Sequence, residues 1–243
     1  MKQVAGLLVL LIIFSLQTSG QSPDYKQVFG DDWDKAGDFL EENKGWISSV
    51  LDRYDIDYHE ASAVIFPELV RYSALRDKME ITLLKALYVN IGKEYANFSI
   101  GQFQMKPSFA ESVAIAAREI LQRKYRNLVL APSSFKVERD YRTYMVASLE
   151  DVRSELLYLL LFIKICEKKY DLSDLTGEGR VRFLATAYNY GFSSRKEKII
   201  EAENRKFFST RLFKSETWCY SDISAFWYKS QVPPYKAGKD IAK

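Results

Sequence analysis

A carboxylate, a glycine turn flanked by amides, and a phenol beside an asparagine are the reactive and hydrogen-bonding groups that stand out in this chain. The central stretch is Ser99-Ile100-Gly101-Gln102-Phe103-Gln104-Met105-Lys106-Pro107-Ser108-Phe109-Ala110. It reads as a tight turn feeding a helix. Gly101 can take a positive φ or allow a close backbone approach, which residues with a Cβ resist. Pro107 suits the first turn of a helix running on through Glu111, Ala114 and Ala117. Gln102 and Gln104 offer neutral donors and acceptors of the kind that sort hydroxyls and amides, and Ser99 stands at the start of the turn. By itself the stretch is a turn before a helix. Two others give it weight: Ala63-Val64-Ile65-Phe66-Pro67-Glu68 upstream, and Ala185-Thr186-Ala187-Tyr188-Asn189-Tyr190-Gly191 downstream.

Glu68 is the acid of interest. Pro67 lacks a backbone donor and its ring crowds the preceding turn, so a kink or helix end is expected there, with Glu68 near a helix C-terminus. The negative end of the helix dipole and the apolar neighbours Phe66, Leu69 and Val70 both disfavour a charged carboxylate, which raises its pKa. A carboxyl kept protonated near neutral pH can act as a general acid. The bland alternative is an exposed carboxylate or one ion-paired with Arg71.

Helical periodicity supplies the elements that position these groups. From Gln21 to Asp32 the chain reads as a loose lead-in. Trp33 to Tyr54 has helical spacing, with Gly45 a candidate break. Asp57 is an N-cap candidate, with Glu60 three residues on, for the helix carrying Ala61, Val64, Ile65 and Phe66. Met79 to Asn90 is a further helix ended by Gly92. Ser108 to Tyr125 is amphipathic, with Val113, Ala117, Ile120 and Leu121 inward and Arg118, Arg123, Lys124 and Arg126 solvated. Glu150 to Tyr170 reads as one long apolar helix at the centre of the core. Asp174 to Tyr190 follows, closed by Gly191 at a C-cap position. Ser193 or Ser194 is a candidate cap for a last charged helix through Arg205. Trp218 to Tyr235 reads as an aromatic strap, with a sugar-stacking surface as the lesser alternative. Strand-like alternation is nearly absent, so the class is all-α.

The 243-residue chain opens with Met1-Lys2, an apolar run from Val4 to Phe14, and Thr18-Ser19-Gly20. This pattern predicts an N-terminal signal peptide over 1–20, cleaved before Gln21, and an exported, periplasmic or secreted product. The run is too short for a membrane span of about 20 residues. Loss of Lys2 takes the formal charge from +3 to +2. That near-neutral balance argues against a nucleic-acid binder. A single histidine, His59, leaves no histidine-based metal cluster and reads as a surface or capping residue. Cys166 and Cys219 could pair in an oxidising compartment, or Cys166 could be a small buried hydrophobe.

The three stretches, in this order, resemble those of the lysozyme-like lytic transglycosylases, the superfamily that includes goose-type lysozymes. Ala63 to Glu68, preceded by Tyr54-Asp55-Ile56-Asp57, is similar to the family's helix ending in its catalytic glutamate. Ser99 to Ser108 is similar to its Gly-Leu-Met-Gln-x-x-Pro-Ser stretch, and Ala187 to Gly191 to its Ala-Tyr-Asn-x-Gly stretch. The likeness covers about residues 46–205, leaving 21–45 as an N-terminal lead-in and helix and 206–243 as the strap. Leu69 stands where the family has Ser, Gln102-Phe103 replaces Leu-Met, and the interval from Glu68 to Gly101 is longer.

The resemblance implies a lysozyme-like helical domain with a substrate groove. It also implies cleavage of peptidoglycan strands between N-acetylmuramic acid and N-acetylglucosamine. In that reading Glu68 is the catalytic acid and then base. Ser99, Gln102, Gln104, Tyr188 and Asn189 contact substrate or site backbone, with Tyr188 hydrogen-bonded to Glu68. Gly101, Pro107 and Gly191 shape the turns. No metal, cofactor or transmembrane span is implied. An anhydro-muramic product needs no second carboxylate, whereas hydrolysis needs an acid to hold water, for which Asp77, Glu80 and Glu94 are candidates. The departures at Leu69 and Gln102-Phe103 also suit a catalytically silent glycan-binding or envelope scaffold domain.

Overall fold

The computed structural model describes residues 23–74, 78–94, 96–210 and 216–232. The expected signal segment over 1–20, Asp77, the Glu80 side chain and the end of the strap beyond 232 lie outside the described residues. The described chain is mostly helical with one two-stranded ladder, in agreement with the all-α expectation. Among the described residues, no helix is long and apolar enough to cross a membrane.

Helix α1 (Tyr25–Phe29) replaces the expected loose lead-in. Asp24 caps it by accepting from the Lys26 and Gln27 amides, and Tyr25 and Phe29 are buried. Helix α2 (Asp31–Asp52) runs unbroken through Gly45, which does not divide it. Asp57 accepts from the Glu60 amide at 2.7 Å and opens α3 (Tyr58–Ala74). Every residue from Ala61 to Val70 is buried. A helix apolar on all sides belongs inside a protein, and α3 is enclosed by α2, α8 (Val152–Lys169), α9 (Gly177–Thr186) and α11 (Tyr220–Gln231).

Pro67 does not end α3. Tertiary packing overrides the local cost: Phe66 stacks on Trp227 at 3.9 Å between ring centroids, and Trp33 meets Phe66 edge-on at 4.5 Å. In the turn that the proline crowds, the Tyr220 hydroxyl donates to the Val64 carbonyl at 3.0 Å. Glu68 consequently sits inside the helix and not at its C-terminus.

The remaining elements differ from expectation in detail. Helix α4 (Lys78–Ile91) ends before Gly92 as expected. Helix α5 (Pro107–Ile120) has Pro107 in its first turn but exposes Ile120, and a separate short α6 (Arg123–Arg126) follows. The long apolar helix begins at Val152, because Asp151 caps it through the Arg153 and Ser154 amides. A distinct α7 (Glu138–Glu150) precedes it. Helix α9 starts at Gly177 and passes into one π turn, Ala187–Gly191, where Gly191 has φ +125°. Neither Ser193 nor Ser194 caps α10 (Lys196–Ala202); its N-cap is Arg195, with no side-chain bond. Strands β1 (Lys206–Phe208) and β2 (Trp218–Cys219) then pair antiparallel. The aromatic tail folds as α11 and turns Tyr220 and Trp227 inward. Cys166 and Cys219 are both buried and free, so no disulfide joins them.

Candidate active site

A cavity of about 520 Å³ opens where α3, the turn before α5, and the π turn meet. Glu68, Ser99, Gln104, Tyr188, Asn189 and Gly191 line it, so the three stretches separated in sequence share one site. Gln102 is not among its lining residues. Its backbone, not its side chain, has the clear structural task.

The turn is a four-residue loop closed by an isolated bridge. Ile100 and Met105 exchange both backbone hydrogen bonds, at 2.9 and 3.0 Å. Gly101 has φ +76° and Gln104 φ +48°. The Gln104 side-chain Nε2 donates back to the Gly101 carbonyl at 2.8 Å, which compensates for a left-handed backbone at a non-glycine residue. Lys106 then supplies the extended residue before Pro107.

Beneath the loop lies Glu155, fully buried in the first turn of α8. Its two carboxyl oxygens accept from the Gln102 amide at 2.9 Å and the Phe103 amide at 3.0 Å. Burial pushes its pKa well up, while the two amide bonds pull the other way. Sequence reasoning missed this group. The signal available was a lone acid on the same helical stripe as Leu159 and Phe162, a face otherwise given to the core.

From the other side the Tyr188 hydroxyl donates to the Phe103 carbonyl at 2.9 Å. This corrects the expectation that Tyr188 bonds Glu68. The phenol is buried near Glu68 and Glu155, and burial followed by those two charges keeps it protonated and a donor. Its ring packs against Phe109 at 4.9 Å and Phe162 at 5.4 Å. Asn189 is exposed on the rim.

Glu68 is 4 % exposed. Burial raises its pKa, and Arg71 followed by Lys106 opposes the rise. Glu68 is mid-helix, away from the negative end of the helix dipole, and desolvation raises its pKa. Arg71, one turn on, donates Nη1 to both Glu68 oxygens, at 3.0 and 2.7 Å. The same guanidinium stacks over Phe208 at 4.4 Å and donates Nε to the Ser209 carbonyl at 3.3 Å. The ion-paired alternative for Glu68 is thus what the folded chain shows.

Glu94 is exposed and lies away from the cavity lining, as does His59. Among the described residues Glu68 is the one acid lining the cavity, against two cations, Arg71 and Lys106. Tyr190 and Phe207, which sequence reasoning did not single out, present exposed rings to the same cavity. Exposed aromatic faces beside a polar cleft suit sugar rings.

Comparison with protein-family models, curated proteins and solved structures finds no match to any of the three.

Proposed function

We propose that this chain is an exported enzyme that cleaves peptidoglycan strands at the N-acetylmuramic acid to N-acetylglucosamine linkage, as a lytic transglycosylase of lysozyme-like type. One observation carries the reading. A buried carboxyl, an amide-rich glycine turn and a Tyr-Asn turn, widely spaced in sequence, line a single cavity.

Glu68 in its protonated form donates its proton to the glycosidic oxygen as the bond from the muramic C1 to that oxygen breaks, and N-acetylglucosamine leaves with a free 4-hydroxyl. The carboxylate so formed takes the proton of the muramic 6-hydroxyl while that oxygen bonds C1, which closes an anhydro ring. The acid is regenerated without a second carboxylate. Gln104, Ser99 and Asn189 offer the amide and hydroxyl groups that hold acetamido substituents.

Incubation of purified sacculi with the mature protein tests this. Mass spectrometry is expected to show fragments ending in anhydro-muramic acid. Reducing ends, heavier by one water, would make the enzyme a muramidase with Glu68 still the acid. A catalytically silent glycan-binding domain is the second reading, favoured by the two-oxygen grip of Arg71 on Glu68. Binding to sacculi without released fragments would select it.

A further inference from the structure

A carboxylate held by an arginine through both oxygens is a poor proton donor, so the Glu68–Arg71 pair needs an account in any acid-catalysed reaction. Arg71 is also built into the wall. Its Nε bond to the Ser209 carbonyl and its stacking on Phe208 anchor the guanidinium from behind, independently of Glu68. Its side chain is 24 % exposed and lines the cavity, whereas Glu68 beside it is almost wholly enclosed. A ligand entering the cavity reaches the cation before it reaches the acid.

The geometry points to Arg71 as a carboxylate receptor: a carboxylate on the muramic sugar or its peptide stem takes over the guanidinium, and Glu68, deprived of its counter-charge, takes a proton from solvent and becomes the acid. The inference rests on the glycan-cleaving reading of the same cavity. Its balance is simple, one ligand carboxylate bound and one proton taken up from water. The groups facing Glu68 allow it. Lys106 is the other cation, and Tyr188 and Tyr220 are phenols held neutral by burial, so neither replaces Arg71 as counter-charge. Lys106 lies on the cavity wall and adds to the attraction for an anion. A substrate lacking the carboxylate leaves the pair intact and Glu68 ionised. The cavity thereby selects acidic glycans over neutral ones of the same backbone.

Titration calorimetry in two buffers of different ionisation heat tests the idea with ligands that hold no cleavable bond. N-acetylmuramic acid presents the lactyl carboxylate, N-acetylmuramyl-L-alanyl-D-isoglutamine a peptide carboxylate, and N-acetylglucosamine neither. One of the two acidic sugars is expected to bind near neutral pH with uptake of about one proton per site, and the neutral sugar with none. Which acidic sugar does so identifies the carboxylate that is read. Arg71→Met is expected to lose both the preference and the uptake, and Arg71→Lys to restore part of the preference. Glu68→Gln keeps the cation but has nothing to protonate. It is expected to bind the acidic sugar about tenfold or more tightly, one pH unit of lost competition being a factor of ten, with no proton uptake. Circular dichroism confirms that each variant is folded. The inference is overturned if neither acidic sugar binds better than N-acetylglucosamine, if the uptake is absent in the unmodified protein, or if it persists in Glu68→Gln. Failure to cleave sacculi alongside Arg71-dependent proton uptake would instead remove the proposed enzyme function and leave the carboxylate receptor standing.

Discussion

Gly101 sits directly on the Glu155 carboxyl. A Cβ built on Gly101 would stand 2.5 Å from the Glu155 carboxyl carbon, and closer still to its Oε1 and to the Leu149 carbonyl oxygen. The backbone there is also left-handed, at φ +76°. Position 101 therefore excludes side chains twice over, by conformation and by space. Gly101→Ala is expected to cost about 2–4 kcal/mol, because both the obstructing groups are buried or backbone and cannot swing away. Denaturant unfolding checks the value. A loss below about 0.5 kcal/mol would mean that the loop can leave Glu155 freely.

Glu155→Gln tests the carboxyl itself. Both of its oxygens accept from backbone amides, and a carboxamide offers only one acceptor atom, so one N–H then faces an NH2 group. The expected cost is about 1–3 kcal/mol, the range for a buried donor left without a partner. The pH dependence has a definite sign. Unfolded Glu155 loses its proton near its ordinary value of 4.5, while the folded protein holds it to higher pH. Between those two values the folded state binds more protons, so stability falls as pH rises through the raised pKa. The advantage of the unmodified protein over Glu155→Gln is expected to shrink in that window. An advantage that grows with pH would show that the two amide bonds outweigh burial.

Glu68→Gln keeps the volume and removes the transferable proton. Cleavage of sacculi is expected to fall by about 10²-fold or more. The fold should persist, since Arg71 retains Phe208, Ser209 and access to water when its carboxylate is gone. Muropeptide release and circular dichroism, measured together, separate the two effects. Undiminished release would take Glu68 out of the acid role.

Tyr188→Phe is expected to be milder. The hydroxyl serves the Phe103 carbonyl, so its loss loosens the Gly101 loop by about 1 kcal/mol and leaves the ring against Phe109 and Phe162. Cleavage should fall less than in Glu68→Gln, with a lowered thermal midpoint. Loss of activity as complete as that of Glu68→Gln, without a change in stability, would place the phenol in direct contact with the reaction.

Residues close in sequence are where the chain speaks for itself. Asp57 as an N-cap, Pro107 opening α5, and Gly101 and Gly191 at positive φ all follow from groups within a turn of each other, whose options are limited by backbone sterics. The i to i+3 pairing of Glu68 with Arg71 was legible as an alternative for the same reason. Pro67 shows the limit of that logic. Local chemistry favours a kink or a helix end there, but Trp33 and Trp227, far away in sequence, pack on Phe66, and α3 continues past the proline. The partners of the site groups are equally distant: Glu155 lies more than fifty residues from the amides it binds, and Tyr188 eighty-five from the Phe103 carbonyl. Spacing in the sequence carries no record of such pairings, because hydrogen bonds across the core are decided by which helices pack together. Burial is likewise a tertiary quantity. The type and neighbours of Glu68 singled it out as a candidate acid, but the enclosure that raises its pKa comes from the surrounding fold and not from the end of its own helix.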